Sequence, residues 1–261
     1  PIETKGENLK VGDYIAIPKQ FSCNKELKEI DLSNYLDLNE KNLIAVKKNK
    51  KWICYGKQKI TPLKIKLNRR FAKILGYYLA EGCAPRHIAL CFGIHEKEMV
   101  NNLVKDIEKI FPCKVHKNIN DSKYDLIFGA RILKRIFKNW VGDNAKTKKI
   151  PDFVFCADKK FKLAFLSAYI DGDGSIDKGK KHLRIRIKTA SEKLALQLQQ
   201  IIARLGFFAT ISKRKTTPSR INGRLIESKT RYIISYIKDK KKKSFAKKAK
   251  GYFLIPIQKI S

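Results

Sequence analysis

The sequence predicts an α+β fold made of two related halves, and three observations support this. A helix-like segment at 68–82, NRRFAKILGYYLAEG, is repeated 92 residues later at 160–174 as KFKLAFLSAYIDGDG. Each copy is followed by strand-like runs and by a run with helical spacing of apolar residues. The run at 182–188, HLRIRIK, alternates apolar and basic residues like a strand with one buried face. Each half therefore has the order helix, strands, helix, strands.

The two repeated segments share a stripe of small residues at a spacing of four, which lies along one side of a helix. The stripe consists of Ala72, Gly76 and Ala80 in the first copy, and of Ala164, Ala168 and Gly172 in the second. Without side-chain bulk, two helix backbones can approach closely, so we expect these helices to pack against each other. Gly82 and Gly174 favour helix termination. Such packing would bring Glu81 and Asp173, which occupy equivalent positions, close together.

Apolar spacing predicts the elements that follow each copy. Helices are predicted at 95–111 and 191–205, and strands at 86–92, 113–118, 124–128, 182–188, 207–215 and 231–237. One face of a half-buried sheet packs on its own helices, and the other face here carries basic residues. The basic positions are Arg86, His87, Lys114, Lys117 and Lys123 in the first half, and Arg184, Arg186, Lys188, Lys213, Arg214, Lys215, Arg224 and Arg231 in the second.

The net charge of +34, from 58 basic and 24 acidic residues, indicates a polyanionic partner. Nucleic acid is the leading interpretation; a lysine-rich proteome or a solubilising surface is the alternative, and a membrane surface is a weaker one. With 43% apolar residues, a true core is expected. The apolar runs are too short to span a bilayer, and the N-terminus lacks a signal-peptide pattern. We therefore expect a soluble cytoplasmic protein, associated with the nucleoid when bound to DNA.

The six cysteines, Cys23, Cys54, Cys83, Cys91, Cys113 and Cys156, are scattered without a CxxC pair. Disulfides are not expected in a reducing cytosol. Two pairs, Cys91 with His95 and Cys113 with His116, have a spacing that weakly resembles zinc motifs. The simpler interpretation is that Cys91 and Cys113 are buried free thiols.

Two carboxylates brought together at Glu81 and Asp173 repel each other unless a cation lies between them. A divalent metal removes that repulsion and supports phosphodiester chemistry, because Mg²⁺ prefers carboxylate and phosphate oxygens. The alternative is that the two acids merely lie at helix ends. A negative charge at a helix C-terminus opposes the helix dipole, so this alternative lacks a stabilising reason.

The segments ILGYYLAEG (74–82) and LSAYIDGDG (166–174) resemble the two copies of the LAGLIDADG motif of homing endonucleases, of the class found within inteins. The resemblance covers about residues 65–240. It implies two pseudo-twofold αββαββα halves whose curved antiparallel sheets form a DNA-binding saddle. It places Mg²⁺, for which Mn²⁺ can substitute, at Glu81, Asp173, Gly82 and Gly174. Leu79 and Glu81 depart from the motif, but Glu is a usual alternative at the second position.

The resemblance also implies a lysine near each acid. In the segment KTKKIPDF (146–153), Lys148 is the best match and Lys149 the next, and an ordinary phosphate contact is the alternative role. The counterpart should follow the strand at 231–237, where the lysine-rich run does not align clearly. Lys248 is the candidate there, and a flexible solvated segment is the alternative.

The two ends resemble the strands that flank an intein endonuclease, NLKVGDYIAIPKQ (8–20) and GYFLIPIQKIS (251–261). The sequence shows no leading Cys or Ser nucleophile and no terminal His-Asn, so self-splicing activity is not expected. A piece trimmed from a longer protein and a free-standing enzyme of intein ancestry are the two alternatives. We therefore predict an intein-like β segment and linker at 1–64, the two LAGLIDADG halves at 65–155 and 156–250, and a terminal intein-like strand at 251–261.

Together these features predict a site-specific endonuclease that cuts both strands of a long, asymmetric DNA duplex by metal-assisted hydrolysis. It should act as a monomer without an obligatory protein partner or a membrane. The rival hypotheses are an RNA-splicing maturase, a DNA-binding regulator without cleavage, and a ribosome-associated structural protein. Retention of an acid at both 81 and 173 argues against the first two, and the third explains the charge of +34 but not the paired motif.

Overall fold

The computed structural model describes residues 3–19, 25–37, 39, 43–47, 49–55, 58–83, 87–179, 182–215, 219–221, 224–226, 230–238 and 246–257. The chain divides into two compact units, Asn24–Gly174 and a second unit that combines Pro1–Cys23 with Ser175–Ser261. This division differs from the boundary predicted between 155 and 156. The second motif helix packs on the first, and it therefore belongs to the same unit.

The described residues form helices and strands in alternating groups. The helices are α1 (Arg69–Glu81), α2 (Lys97–Ile110), α3 (Arg131–Val141), α4 (Asp152–Cys156), α5 (Lys159–Asp173) and α6 (Glu192–Arg204). The strands of the first half of the chain are β1 (Tyr14–Pro18), β2 (Glu29–Asp31), β3 (Ile44–Lys47), β4 (Lys50–Tyr55), β5 (Gln58–Pro62), β6 (Lys64–Lys66), β7 (Gly82–Cys83), β8 (Ile88–Gly93), β9 (His116–Ile119) and β10 (Lys123–Phe128). The remaining strands are β11 (Gly174–Gly179), β12 (His182–Thr189), β13 (Ala209–Lys215), β14 (Ser219–Ile221), β15 (Arg224–Ile226), β16 (Thr230–Ile237), β17 (Lys247–Ala249) and β18 (Tyr252–Pro256).

The first predicted half has the order α1-β7-β8-α2-β9-β10-α3, which confirms the αββαββα arrangement. Its antiparallel sheet has the strand order β7-β8-β10-β9. Strand β10 alternates regularly, with Tyr124, Leu126 and Phe128 buried and the intervening residues more exposed. The sheet therefore buries one face against its helices and leaves the other face open.

The second predicted half has the order α5-β11-β12-α6-β13-β16, with the hairpin β14–β15 between the last two strands. Its sheet has the order β11-β12-β16-β13 and is antiparallel in the described pairings β12–β16 and β13–β16. The two halves thus share a strand plan. Where α3 ends the first half, the described residues after β16 lead into strand β17 of a different sheet.

The two end segments predicted as strands pair with each other. Strand β1 is antiparallel to β18, and β18 is also paired with β17. Phe253 on β18 is fully buried with Ala203 and Ala246, and Ile17 and Phe208 pack against this cluster. This small sheet is thereby joined to the hydrophobic core of the second compact unit.

An aromatic cluster fills the core of the Asn24–Gly174 unit. Phe71 on α1 contacts Trp140 and Phe161, with ring centroids 6.0 and 6.3 Å away. Both motif helices begin at side-chain caps: Asn68 accepts from the Phe71 amide at 3.0 Å, and Asp158 accepts from the Phe161 amide at 2.6 Å. Each cap therefore sets the start of a helix whose first turn places an aromatic ring in the core.

The expectation that the chain contains no disulfide is wrong, because Cys156 is disulfide-bonded. Disulfide formation depends on thiols whose Cα atoms lie within about 7 Å after folding, and scattered spacing does not reveal that distance. The free cysteines among the described residues are Cys54, Cys83, Cys91 and Cys113. Cys23 lies outside the described residues. None of the helices in the described part of the chain is long and apolar enough to cross a membrane.

Candidate metal centre between paired helices

Helices α1 and α5 pack with their backbones in close contact along the predicted stripe. A methyl group added at Gly76 would collide with the Phe165 carbonyl oxygen and would lie 2.9 Å from the Ala168 Cβ. One added at Gly172 would lie 2.6 Å from the Ala80 Cβ. Only small residues leave room for this approach, so the predicted packing of the two helices is confirmed.

Glu81 and Asp173 are the last residues of these two helices, and they lie at the same end of the pair. A Cβ built on Gly172 would be only 3.2 Å from the Glu81 Oε1 atom, so the Glu81 carboxylate lies against α5 one residue before Asp173. The glycines that follow, Gly82 and Gly174, cap the helices through hydrogen bonds from their amides to the Tyr78 and Ile170 carbonyls.

The surroundings of the two carboxylates make their charges electrostatically costly, although Asp173 is the more exposed of the two. Burial raises the pKa of Glu81, and the negative charges of Asp173 and Glu96 raise it further, while Lys148 acts in the opposite direction. Burial also raises the pKa of Asp173, against the opposing effects of Lys148 and Tyr169. Ionisation of both members of such a carboxyl pair destabilises the folded protein, and a bound cation would offset that cost.

Lys148 is brought to this pair by the loop between α3 and α4. Its Nζ atom donates a 2.7 Å hydrogen bond to the carbonyl oxygen of Ala80, the residue before Glu81. Burial lowers the pKa of the Lys148 ammonium group, and Asp173 and Glu81 counteract this effect. The structure therefore places the predicted lysine within electrostatic reach of both acids.

The loop that carries Lys148 is held by local hydrogen bonds. The Asn144 side chain accepts from the amides of Lys146 and Thr147 at 3.0 and 3.2 Å, and the Thr147 hydroxyl accepts from the Asn144 amide at 3.1 Å. Gly142 starts the loop at a φ of +98°, and a side chain there would collide with the Thr147 carbonyl. These residues were not singled out from the sequence, although asparagine followed three residues later by threonine is typical of such turns.

Two tyrosines beside the acids were also missed by the sequence analysis. Tyr77 donates a 3.4 Å hydrogen bond to Asp171 across the helix pair. Tyr169, at the equivalent position, is fully buried next to Asp173, but among the described residues its hydroxyl has no hydrogen-bond partner of ordinary geometry. Leu79 occupies the position equivalent to Asp171, so the two motifs have different polar surroundings.

The oxygen donors at the end of α1 and α5 fit a hard divalent cation. Among the described residues, no group of three or more His, Cys, Asp or Glu side chains is arranged to hold a metal ion. The pair Glu81 and Asp173 therefore supplies two carboxylates, with the neighbouring backbone carbonyls as further oxygens. Mg²⁺ in proteins is commonly bound through one or two carboxylates, retained waters and substrate phosphates, and this donor set matches that requirement.

The predicted basic face is well developed in the second compact unit. On β12, Arg184, Arg186 and Lys188 alternate with the buried Ile185 and Ile187. Arg214 on β13 lies directly opposite Arg231 on β16. Like charges in directly opposed positions destabilise a free sheet, so this face is suited to an anionic partner.

The other site residues predicted for this unit lie on strands β13, β15 and β17. The Lys213 ammonium lies 5.7 Å from the centre of the Tyr232 ring, and Lys215 ends β13. The backbone of Arg224 belongs to β15, and its side chain lies outside the described residues. Lys248 is exposed on β17 opposite Phe253, so its assignment as a catalytic lysine stays a prediction.

Three of the corresponding predicted residues of the first half are engaged within the protein. His87 has its Nδ1 atom 3.3 Å from the Gly129 carbonyl oxygen, and Lys117 donates to the Asn101 side chain of α2 at 3.1 Å. Lys123 forms an ion pair of 2.8 Å with Asp125. Lys114 is exposed between α2 and β9, and Arg86 lies outside the described residues.

The described residues thus show a duplicated helix-and-sheet plan with one acid at the end of each paired helix. Residues 160–248 match the family model described as "LAGLIDADG-like domain". Residues 160–248 are therefore similar to that domain, and the resemblance to LAGLIDADG homing endonucleases predicted from the two motifs is confirmed.

Several curated proteins contain a region similar to this chain. An uncharacterized protein of Methanocaldococcus jannaschii is 34% identical over 67% of this chain, and the similar region is 22% of that protein. The DNA-directed RNA polymerase subunit Rpo1C of the same organism is 30% identical over 82% of this chain and 24% of its own length. An iron-sulfur cluster assembly SufBD family protein of Mycobacterium tuberculosis is 29% identical over 80% of this chain and 26% of its own length. The chain thus spans about a quarter of these relatives.

Two solved structures of homing endonucleases show limited similarity. Mesophilic variants of I-DmoI have a TM-score of 0.42 at 14% identity, covering 65% of this chain and 89% of that one. I-WcaI bound to its DNA recognition sequence has a TM-score of 0.42 at 15% identity, covering 66% and 76%.

Proposed function

We propose that this chain is a site-specific DNA endonuclease that hydrolyses both strands of a duplex with the help of a divalent metal ion. The observation that carries the proposal is the convergence of Glu81, Asp173 and Lys148 at one end of the α1–α5 pair. Paired carboxylates that repel each other, next to a half-buried ammonium group, have no evident value for stability. The same groups suit the transfer of a phosphoryl group to water.

Each side chain of the site would contribute separately to the reaction. Glu81 and Asp173 would hold Mg²⁺, which when bound activates water and stabilises the leaving oxygen. Lys148 would place a positive charge where negative charge develops on the scissile phosphate. Its hydrogen bond to Ala80 and the Asn144–Thr147 turn fix that charge relative to Glu81 before DNA arrives. The close helix contact at Gly172 keeps the Glu81 carboxylate beside Asp173.

Binding of DNA is supported by the charge of the chain and by the basic sheet of the second compact unit. Arginines at 184, 186, 214 and 231 offer planar groups that suit phosphates and guanine edges. Strands with such a face can lie in a major groove. The names of the I-DmoI and I-WcaI complexes describe DNA bound to those proteins, and we extend that substrate class to this chain as part of the proposal.

The deciding experiment is incubation of the purified chain with a genomic or random DNA library in Mg²⁺, followed by sequencing of the new ends. We expect recurrent double-strand breaks at one long, asymmetric sequence. Glu81→Gln and Asp173→Asn should abolish double-strand cutting and leave binding of that sequence nearly unchanged. Glu98→Gln removes the same charge from the exposed surface of α2 and should cut normally. Sequence-selective binding without any break would show a non-cleaving DNA-binding protein, and normal cutting by both acid variants would refute the proposed site.

A further inference from the structure

The open face of the first-half sheet has a composition unlike that of the basic sheet. The residues on this face alternate with buried ones along β8 and β10, and they include Cys91, Lys123 and Asp125. On the neighbouring strand β9, Asn118 lies directly opposite Asp125. Lys123 and Asp125 cancel each other's charge, so the centre of this face is nearly neutral. Attraction to phosphates cannot be its main role.

Asp125 is held in place by groups of its own sheet. The Lys123 ammonium lies 3.0 Å from its Oδ1 atom and 2.8 Å from its Oδ2 atom. Cys91 on β8 lies directly opposite Asp125 in the strand pairing. The Cys91 thiol and the Lys123 ammonium hold the pKa of Asp125 below its usual range. The group is therefore a carboxylate at neutral pH, and it can only accept hydrogen bonds.

A carboxylate at the centre of a DNA-contacting sheet needs a specific donor on the DNA. Phosphates repel it, and a duplex has few donors in the major groove: the N4 amino group of cytosine and the N6 amino group of adenine. A single carboxylate accepts well from cytosine N4, whereas adenine is read best by the paired donor and acceptor of Asn or Gln. The side chain of Asp125 is 21% exposed, which leaves its oxygens accessible from the open face.

We propose that Asp125 is a specificity-determining residue that accepts a hydrogen bond from the N4 amino group of a cytosine in the DNA target. The inference rests on the proposed function, since it names how that site selects its substrate. Asn118, one strand away at the same register, is placed to contact a neighbouring base or the same base pair. The two sheets would then read DNA by different chemistry, acidic and amide groups on one and arginines on the other.

The test is selection of bound duplexes from a library of randomised target positions in Ca²⁺, compared between the wild-type chain and variants. The wild type should enrich cytosine at one position. In Asp125→Ala the enrichment of cytosine at that position should fall about tenfold or more, and in Asp125→Asn the preference should shift toward adenine. Every other position should keep its preference. Glu98→Gln, which removes an exposed acid from α2, should select the wild-type sequence throughout.

Two results would overturn the inference, and they are distinguishable. If Asp125→Asn and Asp125→Ala bind all sequences more tightly with unchanged preferences, Asp125 acts only through its charge. If the wild-type chain itself enriches no sequence, both this inference and the proposed function fail. Unchanged thermal unfolding of the Asp125 variants would exclude misfolding as the cause of any altered preference.

Discussion

Enlarging Gly76 should separate the two motif helices, and the size of the effect follows from the contacts at that residue. Alanine there would place its Cβ 2.9 Å from the Ala168 Cβ and closer still to the Phe165 carbonyl oxygen, whereas an ordinary contact is about 3.4–4 Å. The helices must move apart by roughly 0.5–1 Å, and overpacking of this kind costs about 1–3 kcal/mol. Alanine regains about 1 kcal/mol of helix propensity over glycine, so the net loss should be about 0–2 kcal/mol.

Valine at position 76 should cost more, because it adds further methyl groups against the α5 backbone and has a weaker helix propensity than alanine. We expect a loss of about 3 kcal/mol or more for Gly76→Val. In a chain of this size each kcal/mol lowers Tm by roughly 2–4 °C. The cleavage rate should also fall, by more than the loss of folded protein explains. The reason is that a displacement of about 1 Å between reacting groups can lower a rate ~100-fold.

The assay is thermal unfolding together with cleavage rate for Gly76→Ala and Gly76→Val. Ser167→Ala is the control, since Ser167 is exposed on α5 and gains helix propensity without a new contact. We expect stability in the order control, Gly76→Ala, Gly76→Val. A Gly76→Val variant that unfolds at the temperature of the control would refute the close approach of the two backbones.

The remaining predictions concern the charged groups. Burial raises the pKa values of Glu81 and Asp173, so ionisation of these carboxyl groups favours the unfolded chain. Without metal, the free energy of unfolding should therefore fall as the pH rises from the usual carboxyl range through the raised pKa values. The double variant Glu81→Gln/Asp173→Asn should be more stable than the wild type at neutral pH and should lose this pH dependence. Denaturant unfolding in the presence of a chelator measures both, and a less stable variant would contradict the repulsion between the two carboxylates. Lys148→Met should lower the cleavage rate about 100–1000-fold with little change in DNA affinity in Ca²⁺, and parallel losses of both would indicate a purely binding role. Arg231→Thr should stabilise the free protein by about 0.2–1 kcal/mol, by relieving repulsion from Arg214. The same variant should reduce the salt dependence of DNA binding by about one in slope, and an unchanged slope would place Arg231 outside the interface.

Much of the fold was predictable because it depends on local periodicity. The small-residue stripes at Ala72–Ala80 and Ala164–Gly172 predicted both motif helices and their packing, since only closely packed helices require such stripes. The alternation of apolar and polar residues predicted β10, β12 and β16, because a strand with one buried face has that pattern. The equivalent positions of Glu81 and Asp173 in the repeat then predicted the acid pair.

Contacts between residues far apart in sequence decided the rest. The strand spacing of Lys117 suggested a DNA contact, but its pairing with Leu126 turns it toward α2, where it binds Asn101. The position of Asp125 on the open face became visible only from its register with Cys91 and Asn118. Neither register can be read from one strand alone, because it depends on the partner strand.

The sequence by itself determined that two homologous helices end in acids and are followed by sheets with one exposed face, because periodicity and internal repetition are properties of the chain. The tertiary structure alone decided how the surroundings of those acids differ. It placed Lys148 on the Ala80 carbonyl through a loop that starts at Gly142, and it set the Tyr77 hydroxyl of α1 beside Asp171 of α5. These contacts join residues far apart in sequence, and they exist only once the two helices and the loop have packed.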